Sequence, residues 1–336
     1  MIPKRTKTQL PTTAPEPFAL QNYAFNFEQP TPAEDITLTI GGKKIASLGG
    51  LVVLTGKPKA RKSTFLHSFL ASAITYKDIY SIQASLPDHK KQVVLVDTEQ
   101  SNYDLYRSMS RFAYTINADI TKLPTLNFNL YSTRLLGSLE TVALIDNLLE
   151  TNKEVGILAI DSLLDLCNDI NDVTEAKNVI QKIKFWLDTY KITIITIIHQ
   201  SKSTNFSLGH LGSFASRFCQ SELSIEKNED LTSTLKPVYL RSDENFTEVT
   251  IQYNEAQKTY EQVSNIKTML LEDMNHRVVI DKIFEAVNEY SYKGLTEELK
   301  NHYPDKTGYW IQNHLIPYLY TQRFITKHKS SIIKVR

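Results

Sequence analysis

One short segment of the chain has the residue types that bind phosphate groups. GKPKARKST (56–64) follows the apolar run LVVLT (51–55), so a buried strand would lead through a tight loop into a helix. In such a loop backbone N–H groups surround the phosphates, and we expect Lys62 to reach the β- and γ-phosphates and Ser63 to hold Mg²⁺. The predicted phosphate-binding residues are Gly56, Lys57, Pro58, Lys59, Ala60, Arg61, Lys62, Ser63 and Thr64.

Arg61 departs from the usual pattern of such a loop. The pattern G-x-x-x-x-G-K-[ST] is matched at Gly56, Lys62 and Ser63, but its second glycine is replaced by Arg61. A side chain there must point outward, accept a strained backbone, or add positive charge near the phosphates. Taken alone, the segment could also be a basic surface loop in front of a helix.

Three more apolar runs end in polar residues suited to phosphate chemistry. VVLVDTEQ supplies Asp97 and Glu99, and a carboxylate one helix after the phosphate loop suits a base that orients an attacking water. VGILAIDS ends in Asp161, which would support Mg²⁺ through its water shell. IITIIHQSK supplies His199 and Gln200, which could sense a γ-phosphate, although a histidine that only caps a strand is the alternative.

Alternating strands and helices would bring these residues to one sheet edge, where open α/β sheets bind ligands. Near-continuous Val/Ile/Leu runs separated by helices of 12–18 residues predict a mainly parallel, doubly wound α/β sheet. After His199, three alternating segments predict an antiparallel extension. Strands are predicted at 51–55, 93–97, 126–132, 155–161, 192–199, 219–227, 236–242 and 246–254, and helices at 62–76, 102–116, 138–152 and 173–190.

The C-terminal segment predicts a winged helix-turn-helix domain. Helical spacing at 278–290, 296–303 and 306–320 is followed by a hairpin around Lys329-Ser330-Ser331. Seven Lys/Arg stand against one acid from Lys300 to Arg336, so this end carries +6 and the rest of the chain −5. Such a domain could contact DNA or dock protein. Predicted for the groove-entering helix are Thr307, Tyr309, Gln312 and Asn313, for the wing Lys327, Lys329 and Lys334, and for the core Trp310, Leu315 and Leu319, with Tyr309 open to either role.

Length and composition set the frame for these predictions. The 336 residues exceed one core of ~250–300 residues, which favours two folded units. Hydrophobic residues make up 41% and charged residues 22%, and no apolar run approaches the ~20 residues that span a bilayer. We predict a flexible arm at 1–30, an ATP-binding domain at 31–255, a linker at 256–275 and the winged helix at 276–336.

The N-terminal prolines and the two cysteines predict the cellular location and the role of the cysteines. Pro11, Pro15 and Pro17 interrupt the place where a signal peptide needs an apolar stretch, so a cytoplasmic protein without membrane contact is expected. Cys167 and Cys219 lie far apart and outside metal-ligand spacing. They are therefore expected to be buried packing residues.

Taken in order, the segments resemble the RecA-like hexameric P-loop ATPases of the AAA class. They are most similar to the RepA-like plasmid replication helicases, which are relatives of the DnaB helicases. The resemblance covers about residues 31–255. It rests on GKPKARKST, VLVDTEQ, ILAIDSLLDL, IITIIHQSK, GHLGSFASRF and VYLRS.

The resemblance implies roles for matching positions, with ATP and Mg²⁺ as cofactors. Glu99 would be the catalytic glutamate, assisted by Lys62, and Ser63 with Asp161 would hold the metal. His199 and Gln200 would sense the γ-phosphate. Three further roles concern partners: Arg241 as an arginine finger acting on a neighbouring subunit, Ser201–Arg217 as a mobile DNA-facing loop, and Lys202, His210 and Arg217 as its DNA contacts. A solvated strand arginine and an ordinary surface loop are the plainer alternatives.

Three functions compete at this point. The first is an ATP-driven DNA helicase or translocase that acts on single- or double-stranded DNA beside replication or mobilisation proteins. By resemblance it would be a ring-shaped homo-oligomer, a hexamer. The second is a nucleotide-gated DNA-binding or assembly factor with slow turnover, which Arg61 favours. The third, a scaffold with a degenerate site, fits poorly because Lys62, Ser63, Glu99 and Asp161 are all present.

Overall fold

A computed structural model of the chain describes residues 24–25, 27, 33–200, 209–263, 276–285, 287–304, 307–321, 323–328 and 331–335, with the backbone alone at Trp310, His314 and Thr321. The chain divides into two units, Met1–Asp35 and Ile36–Arg336. In the first unit the exposed rings of Phe25 and Phe27 meet edge to face, with centroids 4.9 Å apart. Most of the arm predicted at 1–30 lies outside the described residues, and the predicted domain boundaries stay predictions.

The second unit alternates strands and helices along the chain. The strands are β1 (Ile36–Ile40), β2 (Lys43–Ser47), β3 (Leu51–Gly56), β4 (Ile82–Ala84), β5 (Gln92–Asp97), β6 (Phe128–Ser132), β7 (Val155–Asp161), β8 (Thr193–His199), β9 (Ser221–Lys227), β10 (Ser233–Leu240), β11 (Val249–Asn254), β12 (Thr259–Val263), β13 (Glu289–Tyr290), β14 (Ile325–His328) and β15 (Ser331–Lys334). The helices are α1 (Lys62–Thr75), α2 (Asn102–Thr115), α3 (Ser138–Thr151), α4 (Val173–Tyr190), α5 (Gly209–Phe218), α6 (276–283), α7 (Tyr292–His302) and α8 (308–321, with a π-helical turn at Ile311–Leu315).

A nine-stranded mixed sheet forms the centre of this unit. Its strand order is β12-β11-β10-β9-β3-β8-β7-β5-β6, with β9, β3, β8, β7, β5 and β6 parallel and the remaining three antiparallel. The predicted α/β fold is confirmed. The strand order separates β3 from β7 by one strand, β8.

Both faces of the sheet are covered, which explains why its parallel strands are apolar throughout. On one face lie buried residues of α1 and α2, such as Phe65, Phe69 and Phe112. On the other face lie those of α3 and α4, including Trp186. Cys167 and Cys219 are buried in this second cluster, as predicted.

Helices α2 and α4 begin and end close to their predicted limits. Ser101 caps α2 by accepting the N–H of Asp104, and Asp172 caps α4 by accepting that of Glu175 at 2.7 Å. Such side chains satisfy backbone donors that a helix start leaves free. These caps fix where α2 and α4 leave the site-bearing edge of the sheet.

Three sequence predictions after His199 need correction. The segment at 219–227 was expected to be antiparallel, but β9 runs parallel to β3, with Val52 beside Ser221. The reason is α5, which crosses back before β9 and occupies half of the segment predicted as a mobile loop, Ser201–Arg217. Residues 201–208 of that loop lie outside the described residues. Within the predicted linker 256–275, residues Thr259–Val263 form β12, an added strand.

The C-terminal segment has a core of its own. Helices α6, α7 and α8 surround buried Ile280, Leu299 and Leu315, and strands β13, β15 and β14 form an antiparallel sheet in that order. The predicted hairpin is present, and Leu315 and Leu319 are core residues as expected. The winged-helix assignment stays a prediction. None of the helices in the described part of the chain is long and apolar enough to cross a membrane.

Candidate nucleotide-binding site

The phosphate loop leaves the sheet at the carboxyl end of β3. Gly56 lies beside His199 in the register of β3 and β8. A Cβ atom at Gly56 would stand 2.4 Å from the carbonyl oxygen of Ile225, closer than packed atoms allow, and its φ of +157° is unusual for other residues. Glycine is therefore required at this position, as the sequence motif indicates.

Lys62 begins α1 and its ammonium group turns back into the loop. Its Nζ donates to the carbonyl oxygens of Gly56 and Lys57, each at 3.0 Å, and the residue is only 5% exposed. Burial lowers the pKa of this ammonium, while the negative charges of Asp161 and Glu99 oppose the shift. The chain thus holds one cation in the centre of the loop.

Ser63 and Asp161 meet at the carboxyl edge of the sheet. The Ser63 hydroxyl donates to Oδ2 of Asp161 at 2.6 Å. Asp161 ends β7 in register with Asp97 at the end of β5, so two carboxyl groups lie on neighbouring strands. Burial raises the pKa of Asp161 to about 7, and burial also raises the pKa of Asp97, which accepts a hydrogen bond from Gln100. The structure therefore places Asp161, not Asp97, against the phosphate loop.

Glu99 lies two residues after the end of β5, near Lys62 of the phosphate loop, and is hydrogen-bonded to His199. Nε2 of His199 lies 2.8 Å from Oε1 of Glu99. The hydrogen bond from His199 lowers the pKa of the Glu99 carboxyl, against the opposing effect of burial. Gln200, the other predicted sensor, donates from its side chain to Oγ1 of Thr55 at 3.3 Å and from its backbone to the carbonyl of Gly56. The predicted polar residues of three strand ends therefore converge on one loop.

Thr98 is a site residue that the sequence analysis missed. Its Oγ1 accepts the backbone N–H of Ser162 at 2.8 Å and hydrogen-bonds the Asp165 carboxylate. The backbone N–H of Thr98 also donates to the carbonyl oxygen of Asp161. Thr98 thereby joins the ends of β5 and β7 between their two acids. Its position between Asp97 and Glu99 was the available signal.

Arg61 has an outward side chain on a left-handed backbone. Its φ is +72° and it is the N-cap residue of α1. Its guanidinium donates to the carbonyl oxygen of Leu231 at 2.5 Å and to Oγ of Ser233 at 3.4 Å. It also lies 5.2 Å from the ring centroid of Tyr260. Of the options left open by the sequence, this chain combines two, an outward side chain and a backbone conformation that favours glycine.

The effect of the side-chain contacts of Arg61 can be separated from the strain of its backbone by comparing Arg61→Gly with Arg61→Ala. Both variants lose the contacts to Leu231, Ser233 and Tyr260, but only glycine also relieves the positive φ. We expect Arg61→Gly to be more stable than Arg61→Ala by about 1 kcal/mol, measured by urea unfolding. Equal stabilities of the two variants would contradict a strained backbone at this position.

A comparison with known protein families shows the family to which this chain belongs. A family model described as AAA domain matches residues 14–205, which is more than half of the chain and includes the phosphate loop, Glu99, Asp161 and His199. The chain belongs to this AAA domain family. No curated protein matches the sequence. Among solved structures, a KaiC-like protein from the hyperthermophilic archaeon Pyrococcus horikoshii OT3 is similar at a TM-score of 0.47 and 16% identity, over 65% of this chain and 90% of that one.

An AAA domain is a P-loop ATPase domain, and the residues of this one fit a nucleotide with Mg²⁺. A serine hydroxyl and a carboxylate, Ser63 and Asp161, are hard oxygen ligands of the kind Mg²⁺ takes alongside substrate phosphates. Among the described residues no group of three or more His, Cys, Asp or Glu could hold a metal. Mg²⁺ usually keeps several waters and takes substrate phosphate oxygens beside one or two protein ligands, so two side chains would suffice here.

Arg241 does not join the phosphate loop of its own AAA domain. It follows β10, whose last residue Leu240 pairs with Ser221 at the edge where the parallel strands begin. There its guanidinium lies 3.4 and 3.5 Å from the carbonyl oxygens of Arg217 and Phe218, which end α5. A guanidinium at a helix C-terminus is a favourable charge arrangement. Action on a neighbouring subunit stays a prediction.

The remaining predicted DNA-binding residues lie on two surfaces. His210 and Arg217 are exposed on α5, with the His210 ring 6.1 Å from that of Phe214. Lys327 is exposed on β14, whereas Lys334 forms an ion pair of 2.6 Å with Asp281. Lys202 and Lys329 lie outside the described residues, as does the side chain of Trp310. Thr307, Tyr309, Gln312 and Asn313 are all exposed.

Proposed function

We propose that this chain is an ATP-hydrolysing, DNA-associated motor, a ring-forming replicative helicase or translocase of a plasmid or another mobile element. The observation that supports ATP hydrolysis most directly is the convergence of Lys62, the Ser63–Asp161 pair and Glu99 at one sheet edge. Membership of the AAA domain family supports the same activity. The helicase role rests on the resemblance to RepA-like plasmid helicases.

Each site residue has a task that its present contacts allow. Lys62 would exchange its bonds to the carbonyl oxygens of Gly56 and Lys57 for bonds to the β- and γ-phosphates. Ser63 and Asp161 would hold Mg²⁺, which neutralises charge on the phosphates when bound. Glu99 would orient the attacking water, and His199 would transmit the state of the γ-phosphate to the segment after β8.

The ring is proposed as a homo-oligomer, with six subunits by resemblance. Arg241 lies at the sheet edge opposite the phosphate loop, so one surface could offer the loop while the other offers an arginine to a neighbour. For that role the guanidinium would have to leave the carbonyl oxygens of Arg217 and Phe218. These bonds are long, at 3.4 and 3.5 Å, which favours their exchange for a phosphate contact.

The C-terminal segment is proposed to be a winged helix that contacts DNA or a replication or mobilisation protein. Support comes from three helices around one core and from a terminal hairpin. The exposed side chains of Tyr309 and Gln312 lie on α8, exposed Thr307 directly precedes that helix, and Lys327 is exposed on the hairpin. Lys334 is less available, because Asp281 pairs with it.

Two contacts in the site favour the alternative, a nucleotide-gated assembly factor with slow turnover. The Glu99 carboxylate is hydrogen-bonded to His199. This hydrogen bond lowers the pKa of Glu99, which makes Glu99 a weaker base. Arg61 in addition ties the phosphate loop to the carbonyl of Leu231 near β10. Both contacts would have to change before rapid hydrolysis.

ATP hydrolysis with and without single-stranded DNA, together with native mass in the presence of nucleotide, tests the proposal. We expect DNA to stimulate hydrolysis and ATP to favour a ring-sized particle. Slow hydrolysis that ignores DNA, in a sample whose mass still responds to ATP, would support the assembly factor. A chain that does not bind ATP at millimolar concentration would overturn both.

A further inference from the structure

A groove of about 390 Å³ runs between α4 and α5 on one face of the nine-stranded sheet. No role in nucleotide binding was assigned to this surface. Three of its residues, Lys177, Gln181 and Lys184, are exposed at i, i+4 and i+7 and so share one face of α4. The full lining is Lys177, Ile180, Gln181, Lys184, Phe214, Arg217, Phe218 and Arg241.

The groove is cationic and has no acidic lining residue. Within the described part of the chain, its four basic residues form no ion pair with a carboxylate, whereas neighbouring Lys182 on α4 pairs with Asp146 at 2.7 Å. Like charges gathered in one groove repel each other, and repulsion is relieved when a polyanion binds. The four groove cations therefore lack a carboxylate partner within the described residues and are available to an anionic ligand.

Two half-buried aromatic rings lie among these charges. Phe214 and Phe218 are one helical turn apart on α5, and Nζ of Lys184 lies 4.8 Å from the ring centroid of Phe218. Cations that follow a backbone together with rings that stack on bases are the two parts of a single-strand binding surface. A duplex hides its base faces and could use only the cations.

We propose that the groove between α4 and α5 binds single-stranded DNA, with Lys177, Lys184 and Arg217 on phosphates and the Phe214 and Phe218 rings beside bases. The proposal rests on the proposed function, because a DNA motor needs a strand-holding surface. It assigns that task to α4, where the sequence analysis placed no DNA contact, and it gives Arg217 two partners on a neighbouring helix.

Binding of a labelled 20-nucleotide oligo(dT) to the full chain, followed by fluorescence anisotropy over a range of salt concentrations, tests the groove. For Lys177→Ala/Lys184→Ala we expect the slope of log affinity against log salt to shrink by about 1.4, which is about 0.7 for each lost phosphate contact. We also expect affinity to fall roughly tenfold at low salt. A duplex of the same length should lose less affinity than the single strand when Phe218→Ala is tested.

The matched control is Lys77→Ala/Lys122→Ala, which removes two exposed lysines from elsewhere on the molecule and should leave both slope and affinity unchanged. If both double variants bind oligo(dT) like the parent, or the parent does not bind it, the groove is not a DNA site. A changed native mass with unchanged DNA affinity would instead make the groove a contact between subunits, which also overturns the proposal.

Failure of the groove proposal can be distinguished from failure of the proposed motor function. Binding of a fluorescent ATP analogue should be equal in parent and Lys177→Ala/Lys184→Ala, because neither lysine contacts the phosphate loop. If oligo(dT) binding depends on the two lysines but DNA does not stimulate hydrolysis, the groove proposal is supported and the motor proposal is overturned. If the double variant keeps both DNA-stimulated hydrolysis and full affinity for oligo(dT), the motor proposal is supported and the groove proposal is overturned.

Discussion

ATP hydrolysis is expected to fall by about 10²- to 10⁴-fold when Glu99 is replaced by glutamine, the range that a positioned general base contributes. Glutamine keeps the shape of the side chain and can still accept a hydrogen bond from Nε2 of His199, now 2.8 Å from Oε1. It cannot take up a proton from water. The loss should therefore appear in phosphate release at saturating ATP, with little change in the affinity for a fluorescent ATP analogue.

Glu150→Gln is the control for that comparison. Glu150 is an exposed residue at the end of α3 and has no contact with the phosphate loop, so the same chemical change there should leave hydrolysis unaltered. Hydrolysis by Glu99→Gln within a few-fold of the parent would show that another group orients the water. Asp97 would be a poor substitute, because Gln100 and backbone N–H groups already occupy its oxygens.

The sequence predicted the parts of the fold that local chemistry determines. Helix α4 was predicted at its observed limits. The structure shows that both limits are set locally, since Asp172 caps the start and buried apolar residues recur at helical spacing up to Tyr190. The strand ends carrying Asp97, Asp161 and His199 were predicted for a related reason. Apolar runs stop where the chain meets the edge of the sheet.

Helix α5 shows where local chemistry is insufficient. Its sequence, GHLGSFASRF, has two glycines and two serines, which are typical of a loop. Packing of Leu211 and Ala215 into the core makes it a helix, and that contact joins residues far apart in the chain. Because the sequence analysis did not predict α5, it also predicted β9 to be antiparallel. Two neighbouring parallel strands need a crossover connection, usually a helix, and α5 precedes β9.

Arg61 shows the same limit within the site. Its departure from the glycine pattern was visible in the sequence, but its partners were not. The carbonyl of Leu231 and the ring of Tyr260 come from residues 170 or more positions later, brought near by the antiparallel strands. Only the fold could show that the side chain is directed to these strands and not to the phosphates.

The second large effect is expected at Lys62, where replacement by alanine should weaken ATP binding about 10- to 150-fold, the equivalent of about 1.5–3 kcal/mol for hydrogen bonds to a charged group. Lys62 is the buried cation of the loop, and its Nζ now donates to Gly56 and Lys57. Titration with ATP, ADP and AMP locates the effect: a lysine on the β- and γ-phosphates predicts large losses for ATP and ADP and almost none for AMP. Lys122→Ala removes an exposed cation that lies outside the phosphate loop and serves as the control. Equal losses for all three nucleotides would mean that the loop has collapsed, and unchanged ATP affinity would place the phosphates elsewhere.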